Sequence, residues 1–125
     1  MFYRISTLFL LISSIAIISC NKEGIGGKAS ISGTVQHNGK AIPDAVVYIK
    51  YGADEFPSFD FDQYDDNVIV NGTDASFSFE NLYKGNYYLH AVGYDVSIME
   101  NVGGGLAVKI NNKKELIVTE IPVTN

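Results

Sequence analysis

From Ala29 onward, apolar and polar side chains alternate along the chain with a period of two residues. Ala29, Ile31, Gly33 and Val35 are separated by Ser, Thr and Gln, which is typical of a strand with one buried and one solvated face. Further segments of this kind, or rich in Val, Ile and Tyr, lie at 45–51, 68–70, 77–79, 87–92, 106–110 and 116–121. These about seven short strands predict an all-β, antiparallel, immunoglobulin-like sandwich.

Short polar segments between these runs predict the turns. Asn38-Gly39 is a strong signal for a hairpin turn because both residues tolerate positive φ. The last two runs, Leu106–Ile110 and Leu116–Ile121, are predicted to form a final pair joined across 111–113. The glycine run at 103–105 lacks the spacing and the Lys-Ser/Thr ending of a phosphate loop, and it is interpreted as a flexible hairpin or bulge.

The amino-terminal residues have a different pattern. Met1 to Arg4 carry one basic side chain, and Ile5 to Ile18 form an apolar run interrupted only by Ser and Thr. As a helix this run would be about 21 Å long, which is shorter than the roughly 30 Å hydrocarbon core of a bilayer. The pattern therefore favours a secretory signal peptide over a permanent transmembrane helix.

Ile17-Ile18-Ser19-Cys20 resembles a bacterial lipobox. The resemblance implies that residues 1–19 are removed, that Cys20 receives a lipid on its sulfur, and that the mature protein is held on a membrane by fatty acyl chains. An ordinary signal peptide with an incidental Cys20 is the alternative. Cys20 is the only cysteine, so it cannot form an intramolecular disulfide. The glycine-rich segment 20–28 is predicted to be a flexible tether.

Charge limits the partners that can be expected. The whole chain has a formal charge of −5, and loss of Arg4 with the signal peptide makes the mature chain more acidic. Nucleic acid is not expected as a partner, because phosphate contacts need clustered Lys and Arg. At 125 residues, the chain has room for one domain after the tether, at 29–125.

Several segments together resemble the carboxypeptidase regulatory-like domain, a transthyretin-like (prealbumin-type) sandwich common in exported proteins of the Bacteroidota. The segments that carry this resemblance are 31–35, 39–47, 77–82, 85–89 and Gly93-Tyr94. The usual glycine before the Phe-containing strand is absent from Thr73-Asp74-Ala75-Ser76. The resemblance covers about 29–123 and implies a domain without catalytic residues of its own. We expect an envelope protein that is anchored by lipid to the outer membrane and faces either the periplasm or the cell surface.

A long loop departs from the plain sandwich pattern. Residues 52–67 carry six carboxylates interleaved with four aromatic residues. One interpretation is a solvated acidic loop whose aromatic residues cover the edge of the sandwich. A second is a Ca²⁺ site, since hard cations take several carboxylate oxygens; its candidate ligands are Asp60, Asp62, Asp65 and Asp66. A third is an exposed aromatic patch that binds a sugar or a protein, formed by Phe56, Phe59 and Tyr64.

No catalytic set emerges from the remaining residues. His37 and His90 lack the spacing of paired metal ligands, and His90 is predicted to share a strand face with Tyr88 and Val92. We therefore expect a protein that is not an enzyme and needs no cofactor, namely a binding or structural module for an envelope protein or glycan. The alternatives are a small hydrolase that uses the carboxylates of 54–66 and a calcium-dependent adhesion module.

Overall fold

The computed structural model describes residues 22–125; the predicted signal peptide and the predicted lipidation site at Cys20 lie outside the described residues. The described chain forms eight strands and one short 3-10 helix at Phe61–Gln63. The strands are β1 (Ile25–His37), β2 (Lys40–Ala41), β3 (Val46–Tyr51), β4 (Asp66–Ile69), β5 (Ser76–Leu82), β6 (Gly85–Asp95), β7 (Glu100–Ile110) and β8 (Leu116–Pro122). Within 22–125, no helix is long and apolar enough to cross a membrane.

The strands form two four-stranded sheets, so the prediction of an all-β sandwich is confirmed. In sheet I, β1 pairs with β2 and β5 in antiparallel orientation and with β8 in parallel orientation. Sheet II has the order β4-β3-β6-β7 and is antiparallel throughout.

The predicted pairing of the last two strands is wrong. β7 pairs with β6 in sheet II, whereas β8 crosses to sheet I and pairs with β1 from Ser30↔Leu116 to Gln36↔Pro122. The sheet is therefore not purely antiparallel. The crossing lets β8 bury Ile121 between the sheets, and this burial replaces the local contacts of a hairpin.

The first strand begins earlier than the sequence indicates. Residues 25–28, expected in the flexible tether, belong to β1. Ile25 and Ala29 both align with Leu82 on β5, which marks a β-bulge. A Cβ atom on Gly27 would overlap the carbonyl of Leu82, so this glycine permits close strand contact. The predicted turn is confirmed, with φ of 50° at Asn38 and 77° at Gly39.

The core lies between the two sheets. Five strand residues at apolar positions of the alternating pattern are all buried: Val35, Val47, Phe79, Leu89 and Val108. Burial of each large apolar side chain contributes about 1.5–3 kcal/mol to folding. The alternation in the sequence therefore identifies the inward face of β1, β3, β5, β6 and β7.

The glycine run 103–105 lies inside β7 and does not form a hairpin. A Cβ atom on Gly104 would overlap the carbonyl oxygen of Pro122. Beside it, the Gly103 N–H donates to the Thr124 carbonyl at 2.9 Å, and the Thr124 N–H donates back at 3.0 Å. The prediction of a flexible segment is wrong here, because the glycines let the end of the chain approach β7 closely.

Candidate functional site

The β3–β4 loop (residues 52–65) is fixed at both ends to sheet II. At its start, the Gly52 N–H donates to the Asn86 carbonyl at 2.8 Å; at its end, the Asp65 N–H donates to the Ile49 carbonyl at 2.9 Å. Asp60 begins the 3-10 helix, and its carboxylate accepts the Asp62 N–H at 3.2 Å. These hydrogen bonds order a loop whose sequence has no period of its own.

Aromatic contacts hold the loop against the outer face of sheet II. Tyr48 on β3 stacks on Phe61 with ring centroids 4.5 Å apart, and Tyr64 meets Tyr48 edge-on at 5.8 Å. The Tyr64 hydroxyl donates to the Ser58 carbonyl at 3.0 Å. Burial raises the pKa of the Tyr64 hydroxyl above its usual value, which keeps it protonated as a donor at neutral pH.

An open groove of about 490 Å³ remains between this loop and the sheet. We call it the aromatic groove; its lining residues are Phe56, Phe59, Phe61, Tyr88, His90, Val92 and Gly103–Gly105. Three separate segments thus contribute to it: the loop, β6 and β7. As predicted, His90 shares its strand face with Tyr88 and Val92.

Rings surround His90 within the groove. The His90 ring centroid lies 5.4 Å from Phe56, 6.1 Å from Phe59 and 5.5 Å from Phe61. Phe56 also meets Phe59 at 4.7 Å and Tyr88 at 6.0 Å. Phe56 is 41% and Phe59 is 76% exposed, so these two rings present their apolar surface to solvent, where a ligand can reach it.

His90 is a buried polar group without a partner among the described residues. It is 6% exposed, and its Nδ1 atom makes no hydrogen bond within 22–125. Burial lowers the pKa of the imidazole below its usual value, so the ring is neutral at pH 7. A buried nitrogen without a hydrogen bond is costly, and a group of this kind in a cavity is a sign of a ligand site.

Gly103 lines the groove and has no side chain that would fill it. A Cβ atom on this residue would make ordinary contacts, 3.5 Å from the Ala91 carbonyl oxygen and 3.9 Å from His90 Nε2. A larger side chain at 103 would therefore project into the groove without overlapping the backbone.

The structure does not bring the four candidate calcium ligands together. Asp60 accepts the backbone N–H of Asp62 within the loop, and Asp66 accepts the backbone N–H of Asn67, its neighbour on β4. Asp65 accepts the Tyr51 N–H at 2.7 Å and lies 3.6 Å from Lys50 Nζ. Asp62 is exposed. Across residues 22–125, no group of three or more His, Cys, Asp or Glu side chains is placed to hold a metal ion.

The candidate aromatic patch is found only in part. Phe56 and Phe59 line the groove and are exposed, but Tyr64 is buried between the loop backbone and sheet II. The prediction of an exposed Tyr64 is wrong because its ring fills the space beside Tyr48. Sequence reasoning missed Phe61 and the glycine run as groove residues. Neither Asp60 nor Asp62 lines the groove.

A buried hydrogen bond between His37 and Asp95 lies at the end of the sandwich away from Gly24. His37 Nδ1 is 2.8 Å from Asp95 Oδ2, and the other Asp95 oxygen accepts the Ser97 hydroxyl and N–H. The hydrogen bonds from His37 and Ser97 lower the pKa of Asp95 to about 2. Because Ser97 bonds to the carboxylate and not to the imidazole, these groups do not form a nucleophile and base pair; they tie β1 to the β6–β7 turn.

No family model and no curated protein sequence matches this chain. The sandwich agrees with the architecture that the carboxypeptidase regulatory-like resemblance implies, whereas membership of that family and the lipobox remain predictions.

Proposed function

We propose that this protein is a membrane-anchored envelope lipoprotein whose sandwich is a non-catalytic binding module, with the aromatic groove as its binding site. The observation that carries the binding role is an open groove in which two phenylalanine rings are exposed around a buried histidine, whose Nδ1 atom has no hydrogen-bond partner within 22–125. Concave, mostly apolar sites with a few polar groups are where proteins bind their ligands.

The chemistry of the groove favours binding over catalysis. Apart from His90 and Tyr88, its side chains are apolar. Among the described residues, no carboxylate or hydroxyl orients the His90 ring, as a general base requires. The hydrolase alternative needs two carboxylates at a concave surface, and Asp60 and Asp62 lie outside the groove lining.

The proposed lipid on Cys20 would hold the sandwich close to the membrane. Gly24 is already fixed to the sandwich, since its N–H donates to the Tyr87 hydroxyl at 2.9 Å. The Glu23 carboxylate accepts the Asn86 N–H at 3.4 Å. Only a few residues therefore separate the lipidated cysteine from an ordered part of the chain, and the β6–β7 turn would point away from the bilayer.

Two experiments test this proposal separately. Cys20→Ala should abolish labelling with a fatty-acid analogue and release the protein from membranes, whereas Asn21→Ala should leave both unchanged. Persistent labelling of Cys20→Ala would contradict the anchor. For the groove, a protein or glycan retained from envelope extracts should be lost with Gly103→Leu and kept with Ser78→Leu, which adds the same side chain to sheet I. Equal retention by both variants would contradict the groove as the binding site.

A further inference from the structure

We propose that the aromatic groove binds a lysine or arginine side chain from a basic segment of a protein partner. This inference rests on the proposed function, because it names the ligand class of the same groove. It commits to a cationic protein side chain; a glycan or an uncharged apolar group is an outcome that would overturn it.

The first support is the arrangement of rings. Phe56 and Phe59 form a wall with centroids 4.7 Å apart, and Tyr88 lies 6.0 Å from Phe56. A cation within about 6 Å of such ring faces is attracted by their quadrupoles, more strongly as it is desolvated. The aliphatic part of a lysine or arginine side chain would at the same time cover the apolar lining.

The second support is charge complementarity. The β3–β4 loop carries five carboxylates and no Lys or Arg. Asp65 lies near Lys50, and Asp60 is used as a helix cap. Asp54, Glu55 and Asp62 are exposed, so their charge is free to act on an approaching partner. An acidic surface beside a groove raises the local concentration of basic ligands and disfavours acidic ones.

His90 gives independent evidence that this surface takes a ligand. It lies among the three phenylalanine rings, and within the described chain its Nδ1 atom has no partner. Its neutral ring adds no positive charge that would repel a cation. The acidic residues of the loop are thus combined with a cavity and with a buried polar group left unsatisfied.

The lining argues against a sugar. A bound sugar presents several hydroxyl groups, each of which loses hydrogen bonds to water and needs a replacement. The groove offers the Tyr88 hydroxyl, His90 and backbone groups, while the rest of its lining is apolar or aromatic. A cationic side chain keeps its hydration on the open side and needs fewer partners in the groove.

The test uses the full chain and four fluorescent peptides that are identical except for one central residue: Lys, Arg, norleucine or Glu. Norleucine keeps the length and apolar character of lysine but lacks its charge. We expect the Lys and Arg peptides to bind at least about five-fold more tightly than the norleucine peptide, with no binding of the Glu peptide. Equal affinity for Lys and norleucine, or no binding of either cationic peptide, would overturn the inference.

Variants locate the binding and separate the two proposals. Gly103→Leu should abolish binding of the Lys peptide, and Phe59→Ala should weaken it about five-fold. The double variant Asp54→Asn with Glu55→Gln should weaken binding of the Lys peptide, and this loss should be larger at low salt than at high salt. Ser78→Leu should leave the binding unchanged. Binding that survives Gly103→Leu would overturn the inference. If the peptides fail but Gly103→Leu blocks a glycan from envelope extracts, the inference is overturned and the binding function stands.

Discussion

The outer faces of the two sheets have similar sequence patterns and very different structures. On sheet I, the outward positions of β1 and β5 are polar, and several of them are serines: Ser30, Ser32 and Ser78. On sheet II, the corresponding positions include Tyr48, Tyr88 and His90, which the β3–β4 loop covers. Alternation therefore distinguishes inside from outside, but it does not show which outside face receives another layer.

The difference follows from the size of the outward side chains and the length of the loop. Tyr48 offers a flat apolar surface on which Phe61 stacks at 4.5 Å, whereas serine offers no such surface. The stacked pair supports the loop on one side of the groove. On the other side, the glycine run of β7 has no side chains that would fill the space. The aromatic groove is the space between them.

The largest expected effect tests the core that both sheets share. Leu89→Ala should cost about 2–5 kcal/mol of unfolding free energy, since it removes burial and leaves a cavity. Urea unfolding of the purified protein measures this. Val118→Ala is the control, because Val118 is 80% exposed on β8. A loss below about 0.5 kcal/mol for Leu89→Ala would mean that the register of β6 is shifted by one residue.

Next in size is a contrast between neighbouring glycines of β7. Gly104→Ala should cost about 1–3 kcal/mol, because the new methyl group would overlap the Pro122 carbonyl. Gly103→Ala should change the unfolding free energy by less than about 1 kcal/mol, as its methyl group enters the groove. Thermal or urea unfolding of the two variants measures the contrast. Equal losses would contradict the assignment of Gly103 to the outer face.

A smaller effect is expected where the loop contacts sheet II. Tyr48→Ala removes the ring that stacks on Phe61, which should cost about 1–2 kcal/mol and expose 52–65 to limited proteolysis. The matched change on sheet I is Ser32→Ala, which should leave the cleavage rate unchanged. Rapid cleavage of the loop in the unmodified protein, at the rate of Tyr48→Ala, would contradict a loop held by this contact.

The smallest effect concerns the hydrogen bond between His37 and Asp95, which joins the two sheets. The pKa of Asp95 is lowered to about 2, below the usual value near 3.9. The unfolded chain therefore takes up this proton first, and stability is lost as the pH falls from about 5 to about 2. His37→Gln should make stability less steeply dependent on pH in this range, while Ser78→Ala on the outer face of sheet I should not. An unchanged acid profile for His37→Gln would contradict the coupling.

The sequence allowed the inward positions of β1, β3 and β6 to be predicted, because burial on one face imposes a period of two. It could not assign β8 to its sheet, since an alternating strand pairs equally well with several neighbours. Ala75 shows a similar limit: it takes a φ of 56° at the turn where the carboxypeptidase regulatory-like pattern has glycine. This positive φ is uncommon for alanine, so it could not be predicted from the sequence without the surrounding structure.

The site was predictable only as a region. Six carboxylates and four aromatic residues in one loop indicated a special role, but an aperiodic loop does not indicate which rings are exposed. Phe59 is 76% exposed and Tyr64 is buried, although their sequence surroundings are alike. The groove also depends on Gly103 and His90, which the chain brings together only through pairing of β6 with β7.

The proposed binding surface is the outer face of sheet II, and not that of sheet I. Amide chemical shifts of the full chain, followed while the Lys peptide is added, test it most directly. We predict saturable shifts at His90 and Gly103–Gly105, with no change at Ser30, Ser32 or Ser78. Shifts confined to the serine face, or to the β6–β7 turn at 96–99, would contradict the claim.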